Sequence, residues 1–190
     1  MIQEESIWTL DSQWRPDVAT SSVAPALLDD LDLYVHLARE AQAFLRGRGL
    51  AQWVPAAHAA YRTVLVARVL GGDLHKVVCA GQTVAFFCLS GETPGWWAPY
   101  PAPASYVSGI VVARKNRGGG VGQLVLKWCE GRAQVLDHDR LRLDCHADNS
   151  WLCSYYAALG FQEVTRVEQH PGYVGLLQEK IIVRREASET

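Results

Sequence analysis

The chain has 190 residues, of which 49% are hydrophobic, and it carries seven tryptophans and a formal net charge of −2. This length suits one domain with a substantial core, and the hydrophobic content argues against intrinsic disorder. The nearly neutral charge gives no overall attraction to nucleic acid, and no apolar run approaches membrane-spanning length. We therefore expect a single domain over residues 1–190 with neither nucleic acid nor a membrane as partner. Because the first residues lack a signal-like segment, we expect a cytoplasmic location.

The cysteines and histidines of the chain show no metal-binding pattern. There are five cysteines and six histidines, with no C-x-x-C pair and no regular ligand spacing. An odd number of cysteines without such pairs favours reduced, buried thiols over a disulfide framework or a zinc site. The sequence therefore predicts no metal.

Apolar periodicity predicts the elements of the first half of the chain. Residues 5–10 could form an edge strand, and residues 16–22 read as a loop in which Ser21 or Ser22 caps the next helix. Helical spacing of apolar residues then covers 27–45 and 61–69. Two apolar runs around Ala80-Gly81-Gln82 predict a hairpin.

The segment from Gly91 to Ala104 contains four prolines, which are incompatible with regular structure. Trp96, Trp97 and Tyr100 lie within it, so large aromatic faces are expected on a loop. Aromatic side chains there could stack on a substrate ring and exclude water. They could equally pack over the core or at an oligomer contact, and the sequence favours neither alternative.

The stretch from Ser108 to Gly122 predicts a phosphate-binding turn. An apolar, β-branched run, Ile110-Val111-Val112, reads as a buried strand, and a helical pattern begins at Val121. Glycines between them allow backbone N–H groups to approach an anion, and the helix N-terminus adds its unpaired donors. Positive charge is also concentrated there. The residues concerned are Arg114, Lys115, Arg117, Gly118, Gly119, Gly120 and Gly122.

The spacing of these glycines excludes two common phosphate motifs. A Walker A loop ends in Gly-Lys-Ser/Thr, whereas Gly122 is followed by Gln123 and Leu124. A dinucleotide-binding Gly-x-Gly-x-x-Gly fails at its third glycine from either possible start. The pattern that remains is Arg-x-x-Gly-x-Gly, running from Arg117 to Gly122.

A second motif follows this helix. Residues 140–145 alternate as a strand, and Asp148-Asn149-Ser150 closes it. A short helical segment then leads to Tyr156-Ala-Ala-Leu-Gly160-Phe161. The two motifs together, over about Tyr106 to Val164, resemble the GNAT superfamily of acetyl-CoA-dependent N-acetyltransferases.

The resemblance implies a fold and an organisation of the chain. The fold would be α+β, an α/β/α sandwich. Its mixed, mostly antiparallel and twisted sheet of six to seven strands would be flanked by helices and splayed between its two central strands. Residues 1–104 would form the acceptor-side half, 105–164 the acetyl-CoA-binding core and 165–190 the C-terminal strands. Dimers are common in the family, so a homodimer is compatible with it.

The resemblance also implies direct attack of a substrate amine on the thioester of acetyl-CoA, with no metal involved. Backbone groups of the central strand would bind the pantetheine, the glycine loop would hold the pyrophosphate, and Asn149 would contact the pantetheine arm. Tyr156 would be the general acid that protonates the departing thiolate; the alternative is that it is a core aromatic. The implied cosubstrate-binding residues are Ile110, Val111, Val112, Arg117, Gly118, Gly119, Gly120, Val121, Gly122, Asn149 and Tyr156.

The general base is not specified by the motif. Many GNAT enzymes place a glutamate near the central strand, where this chain has Ser105, Tyr106 and Ser108. Asp144 and His146, at the end of the next strand, are therefore the catalytic candidates beside Tyr156, and Glu92 is a further one. A base acting through water is also allowed.

The expected acceptor is the primary amine of a small polar molecule, and an aminoglycoside-type antibiotic, as in resistance or detoxification, is the sharpest guess. Aromatic faces suit sugar-like rings and carboxylates suit ammonium groups. The candidate substrate-binding residues are Glu92, Trp96, Trp97, Tyr100 and Asp144. Two alternatives stay open, namely an acetyltransferase for proteins or peptides and a CoA-binding regulatory module without turnover.

Overall fold

The computed structural model describes residues 21–50 and 59–183, which contain seven β-strands and four α-helices. The helices are α1 (Leu31–Arg46), α2 (Ala59–Leu70), α3 (Val121–Val135) and α4 (Ser150–Ala158). The strands are β1 (Ser21–Pro25), β2 (Leu74–Cys79), β3 (Gln82–Ser90), β4 (Ala104–Val112), β5 (Arg140–His146), β6 (Gln162–His170) and β7 (Tyr173–Ile181).

The strands form one mixed sheet in the order β1-β2-β3-β4-β5-β7-β6. β4 and β5 pair in parallel, and this register covers Ala104–Tyr106 against Arg140–Arg142 although both strands continue beyond it. The pairs β1–β2, β2–β3, β5–β7 and β6–β7 are antiparallel. This mixed seven-stranded sheet with its flanking helices confirms the predicted α+β fold class.

The described residues fall into two compact units that interleave along the chain. The first comprises 21–44, 59–88 and 109–126. In its core, Tyr34 of α1 packs edge-on against Phe86 of β3, with ring centroids 5.5 Å apart, and its hydroxyl lies 2.9 Å from that of Tyr61 in α2. Burying such aromatic and aliphatic side chains is the main stabilising contribution to this unit. The remaining buried members of the cluster include Leu31, Leu37, Leu65, Leu74 and Val111.

The second unit comprises 45–50, 89–108 and 127–183. Its core contains Trp97, which is 1% exposed, packed with Tyr106 and Leu177. Arg142 of β5 is also buried, with its guanidinium 4.5 Å from the Trp97 ring centroid. This charge is compensated because Arg142 donates hydrogen bonds to Glu179 and to the Tyr100 carbonyl. The second unit thus contains a buried cation, Arg142, whose charge is compensated by Glu179.

Two of the local predictions can be compared with the structure directly. The hairpin is confirmed: Ala80 and Gly81, with φ of 48° and 75°, join β2 to β3, and positive φ at both central residues is the type I′ turn that fits strand twist. The loop prediction for residues 16–22 is wrong at Ser21 and Ser22, because both belong to β1 and pair with β2. The short sequence of β1, Ser-Ser-Val-Ala-Pro, gives a weak local signal, and its strand conformation comes from pairing with a distant segment.

The predicted edge strand at residues 5–10 lies outside the described residues. Among those that are described, no helix combines the length and the apolar character needed to cross a membrane. The single-domain prediction for 1–190 remains a prediction.

Candidate functional site

The predicted phosphate turn has the backbone of an anion-binding loop. Gly118 and Gly120 have φ of 76° and 86°, values that an L side chain rarely adopts, and α3 begins directly after them at Val121. A Cβ added at either glycine would meet no atom within 4 Å, so the loop faces open space there. The first amide groups of a helix have no partner within it and carry the positive end of the helix dipole. The sequence predicted this local structure correctly.

The side chain of Arg117 turns back onto the strand that precedes the loop. Its Nε donates to the Val112 carbonyl at 3.1 Å, and the guanidinium carbon lies 5.5 Å from the centroid of the Phe44 ring. Burial lowers the pKa of Arg117, an effect that the nearby Glu40 carboxylate opposes, and an arginine stays protonated under such a shift. Its Nη2 is buried and has no hydrogen-bond partner among the described residues.

These features fit the pyrophosphate of acetyl-CoA. A buried guanidinium nitrogen without a partner is costly unless an acceptor completes it, and phosphate oxygens are strong acceptors. Two glycines in the left-handed region and a helix N-terminus add backbone donors at the same turn. The residues that would hold the group are Arg117 and the backbone from Gly118 to Gly122.

The central strand carries a distortion just before its apolar run. Gly109, within β4, has φ of 61°, and a Cβ there would come within 2.9 Å of the Tyr34 hydroxyl. A glycine of this kind interrupts the regular ladder and redirects the backbone groups next to it. Ile110 and Val112 follow on the half-buried part of the strand, whereas Val111 points into the core of the first unit. Gly109 was not among the predicted site residues, although an isolated glycine in a strand pattern is a recognisable signal.

Asp144 of β5 is the centre of a polar cluster in the second unit. Its Oδ2 accepts a hydrogen bond from Gln169 Nε2 at 3.1 Å, and the indole of Trp96 lies close enough to influence the carboxyl. Burial raises the pKa of Asp144, and Gln169 and Trp96 counteract the rise. No cation forms an ion pair with Asp144 within the described part of the chain. The observed hydrogen bond to this carboxylate therefore comes from a neutral donor.

Tyr156 of α4 lies close enough to Asp144 for their charges to interact. Its ring packs against Phe161 and Tyr155, with centroids 5.9 Å and 5.5 Å away. Burial raises the pKa of Tyr156 well above the ordinary value of a phenol, with further contributions from the neighbouring Cys145, Tyr155 and Asp144. A phenol with a raised pKa keeps its proton at neutral pH, as a general acid requires.

His146 and Asn149 have structural partners in the turn between β5 and α4. His146 is buried, and its Nδ1 accepts a hydrogen bond from the Asp148 backbone N–H at 3.1 Å. Its ring packs edge-on against Tyr173 at 4.8 Å. Asn149 caps α4, since its Oδ1 accepts from the Leu152 N–H at 3.1 Å. Both side chains thereby fix the turn that places α4.

In the segment from Gly91 to Ala104, here called the aromatic loop, some aromatic side chains are buried and others are exposed. Trp97 lies in the core, with Tyr100 in edge contact at 6.2 Å, whereas Trp96 is 38% exposed and contacts Asp144. Glu92 is exposed, and its backbone N–H donates to Ser90 Oγ. Of the predicted acceptor residues, the structure thus brings together Trp96 and Asp144.

Two residues of this cluster had no counterpart in the sequence prediction, namely Gln169 and Tyr173. Both lie around the β6–β7 hairpin, and Tyr173 is near enough to Asp144 for that carboxylate to raise its pKa further, beyond the effect of burial. No motif marks either residue. Among residues 21–50 and 59–183, no group of three or more His, Cys, Asp or Glu side chains could hold a metal ion.

Comparison with known proteins relates this geometry to a family. Residues 74–161 match the model of the acetyltransferase (GNAT) family. An uncharacterized N-acetyltransferase of Bacillus subtilis, YesJ, is 26% identical over 155 residues, which cover 73% of this chain and 79% of that protein.

Solved structures share the fold. A GNAT-family acetyltransferase from Streptococcus agalactiae superposes with a TM-score of 0.71 at 20% identity, covering 85% of this chain and 95% of that one. The yncA protein of Salmonella typhimurium, solved with its cofactor acetyl-CoA, gives a TM-score of 0.61 at 13% identity, covering 90% and 99%.

Proposed function

We propose that this chain, which matches the acetyltransferase (GNAT) family model over residues 74–161, is an acetyl-CoA-dependent N-acetyltransferase whose acceptor is the primary amine of a small, cationic, polar molecule. An aminoglycoside-type antibiotic is the sharpest form of this proposal. The observation that carries it is the Asp144 carboxylate, which is half-buried and accepts a hydrogen bond from the neutral amide of Gln169 without an ion pair.

Several half-buried carboxylates among the described residues have a cation beside them, unlike Asp144. Glu179 bonds Arg140 and Arg142, Asp30 bonds Lys76 at 2.8 Å, and Glu130 bonds Lys180 at 2.7 Å. A carboxylate removed from water without a cation is costly, and it strongly favours a ligand that supplies one. An ammonium group of the acceptor would form an ion pair with Asp144, as Lys and Arg side chains do with the other carboxylates.

Trp96 supports an acceptor with a ring. Its indole is 38% exposed and lies near enough to Asp144 to lower the pKa of that carboxyl, so a partly open aromatic face lies beside a carboxylate. Aromatic faces bind the C–H surface of sugar-like rings, and carboxylates bind their ammonium substituents. An aminosugar would use both features, whereas Trp97 is buried and takes no part.

The chemistry follows from the two titratable groups of the cluster. Acetyl-CoA supplies the acetyl group as a thioester. Asp144, its pKa raised by burial, would accept a proton from the bound ammonium and free the nitrogen lone pair for attack on the thioester carbonyl. As the carbon–sulfur bond breaks, Tyr156 would give its phenolic proton to the departing sulfur. As the amide forms, the nitrogen loses its second proton, which restores the phenol of Tyr156, and Asp144 releases the first proton to water. The net products are an amide, a free thiol and one proton.

The proposal is tested by measuring thiol release from acetyl-CoA across aminoglycosides, polyamines, amino acids and short peptides. We expect turnover with an aminoglycoside or a related aminosugar. Asp144→Asn should lower kcat/KM for that acceptor about 100-fold, since it removes one member of a shielded charge pair. Asp148→Asn is the matched control, because Asp148 is exposed on the adjoining turn.

Other outcomes overturn the proposal. Turnover confined to peptide or protein amines would show the wrong acceptor class. Binding of acetyl-CoA without turnover on any amine would indicate a regulatory module. Equal activity of Asp144→Asn and Asp148→Asn would remove Asp144 from the acceptor site.

A further inference from the structure

We propose that Gln169 is a positioning residue for acetyl transfer, which fixes the Asp144 carboxylate from a bulge in β6 and leaves its remaining lone pairs for the acceptor amine. This inference rests on the proposed role of Asp144. Its starting point is the hydrogen bond of 3.1 Å from Gln169 Nε2 to Asp144 Oδ2, which joins residues 25 positions apart.

A bulge gives Gln169 its position. In the antiparallel register of β6 and β7, Glu168 pairs with Val174 and His170 pairs with Tyr173, so Gln169 is an extra residue without a partner. Such a residue breaks the alternation of side chains along a strand and turns the strand locally. Bulges recur beside functional sites because they re-aim a single side chain. Here the re-aimed side chain is the one that reaches Asp144.

The neighbouring strand leaves room for the amide of Gln169. A Cβ at Gly175 of β7 would lie 2.6 Å from Gln169 Nε2 and 2.9 Å from its Cδ. These distances are well inside van der Waals contact, so any larger residue at position 175 would displace the amide. The bulge and Gly175 are therefore two separate features that serve one contact.

Few other groups influence the pKa of the Asp144 carboxylate that the Gln169 amide contacts. Trp96 of the aromatic loop also lowers the pKa of Asp144, while Tyr156 of α4, Tyr173 of β7 and the adjacent Cys145 interact with its charge. None of these groups is a cation, so the hydrogen bond from Gln169 is the main contact that opposes the effect of burial on this pKa. An ionised carboxylate accepts up to about four hydrogen bonds, so the bond from Gln169 leaves capacity for an ammonium.

Loss of the Gln169 hydrogen bond should change the pH dependence of the reaction in a defined direction. The hydrogen bond from Gln169 lowers the pKa of Asp144, and removing it must raise that pKa. If the acceptor binds to the ionised form, the acidic limb of the kcat/KM profile moves to higher pH in Gln169→Leu. We expect kcat/KM on that limb to fall about tenfold, as for loss of a hydrogen bond to a charged group, with a smaller change on the plateau. A purely structural role would lower the profile at every pH alike.

The experiment combines the pH profile with a titration that needs no acceptor. The variants are Gln169→Leu, Gly175→Ala and, as the matched control, Gln162→Leu, which alters an exposed glutamine of the same strand. Carboxyl ¹³C NMR of labelled protein gives the pKa of Asp144, whose signal is assigned by its loss in Asp144→Asn. Thermal melting verifies that each variant is folded.

We expect Gln169→Leu and Gly175→Ala to raise the Asp144 pKa and to shift the acidic limb in the same direction, with Gln162→Leu like the wild type. An unchanged Asp144 pKa in folded Gln169→Leu would overturn the inference. So would a shifted pKa with an unshifted acidic limb in an enzyme active on amines. If no amine is acetylated, the proposed acceptor fails, and the NMR titration still decides whether Gln169 controls Asp144.

Discussion

At the scale of single residues, the two acid–base candidates differ in what burial does to them. Burial raises the pKa of both Tyr156 and Asp144. For Tyr156 this preserves the proton that a general acid must give. For Asp144 it increases the affinity of the carboxylate for a proton, which suits acceptance from an ammonium. Burial thus supports two opposite proposed roles, because Tyr156 would act in its protonated form and Asp144 in its ionised form.

The role of Tyr156 gives the first prediction. Tyr156→Phe should lower kcat by about 100-fold or more, which is the usual contribution of a positioned general acid, while acetyl-CoA still binds. Steady-state kinetics and calorimetric binding measure the two quantities. A general acid acts in its protonated form, and burial raises the pKa of Tyr156. Deprotonation of Tyr156 should therefore not lower the wild-type kcat at any pH up to about 10, the ordinary pKa of a phenol.

Tyr155→Phe is the control for this prediction. Tyr155 is the neighbouring tyrosine, and its ring stacks on Trp151 with centroids 5.5 Å apart. The variant loses the same hydroxyl group from the same helix and should keep kcat within about twofold, as expected for a side chain without a chemical role. Equal losses in both variants would assign the hydroxyl groups to packing and remove Tyr156 from the mechanism.

At the scale of elements, two short turns in the same unit use the left-handed backbone region for different purposes. Ala80 and Gly81 close the β2–β3 hairpin, where φ of 48° and 75° matches the twist of the strands. Gly118 and Gly120 have similar φ values, 76° and 86°, in the open loop that directly precedes α3. The first turn serves strand pairing, and the second would present backbone amides to an anion.

This difference gives the second prediction. Gly120→Ala and Gly81→Ala should each cost about 1–2 kcal/mol of stability, because both place a Cβ in the left-handed region and neither meets a neighbouring atom within 4 Å. Only Gly120→Ala should raise KM for acetyl-CoA, by about tenfold. Chemical denaturation and steady-state kinetics measure the two effects. A comparable rise of KM in Gly81→Ala would show that strain in general, rather than the loop, affects the cosubstrate.

At the scale of the whole molecule, cosubstrate binding and folding are linked. Arg117 Nη2 is a buried donor without a partner among the described residues. Arg114 and Lys115, close to it in sequence, add positive charge. A ligand that binds the folded chain alone stabilises it by mass action. Acetyl-CoA should therefore act on the stability of the protein as well as on its reaction.

Thermal melting tests this linkage. At about 100 times its Kd, acetyl-CoA should add about 2.7 kcal/mol, which corresponds to a rise in Tm of about 5–10 °C for a chain of this length. S-acetylpantetheine lacks the pyrophosphate, so at the same concentration it should raise Tm much less. Arg117→Ala should reduce the shift caused by acetyl-CoA. Equal shifts with both compounds would show that the glycine loop does not hold the pyrophosphate.

The sequence by itself determined the strand–glycine–helix turn and the hairpin at Ala80. Their geometry is encoded within a few consecutive residues, since a positive φ demands glycine or a tolerant residue, and apolar periodicity reveals strand and helix. β1 was missed for the complementary reason. Its five residues pair with residues of β2 that lie 50 to 58 positions further along the chain, and they have little strand preference of their own.

Only the tertiary structure decided the character of the candidate acceptor site. Two adjacent tryptophans were equivalent in the sequence, yet Trp97 is buried over Arg142 while Trp96 is partly exposed beside Asp144. The amide of Gln169 reaches that carboxylate through a bulge in β6. The physical reason is range: a backbone turn is set by neighbours along the chain, whereas the burial, hydrogen bonds and pKa of a carboxylate are set by residues that folding brings from far away in sequence.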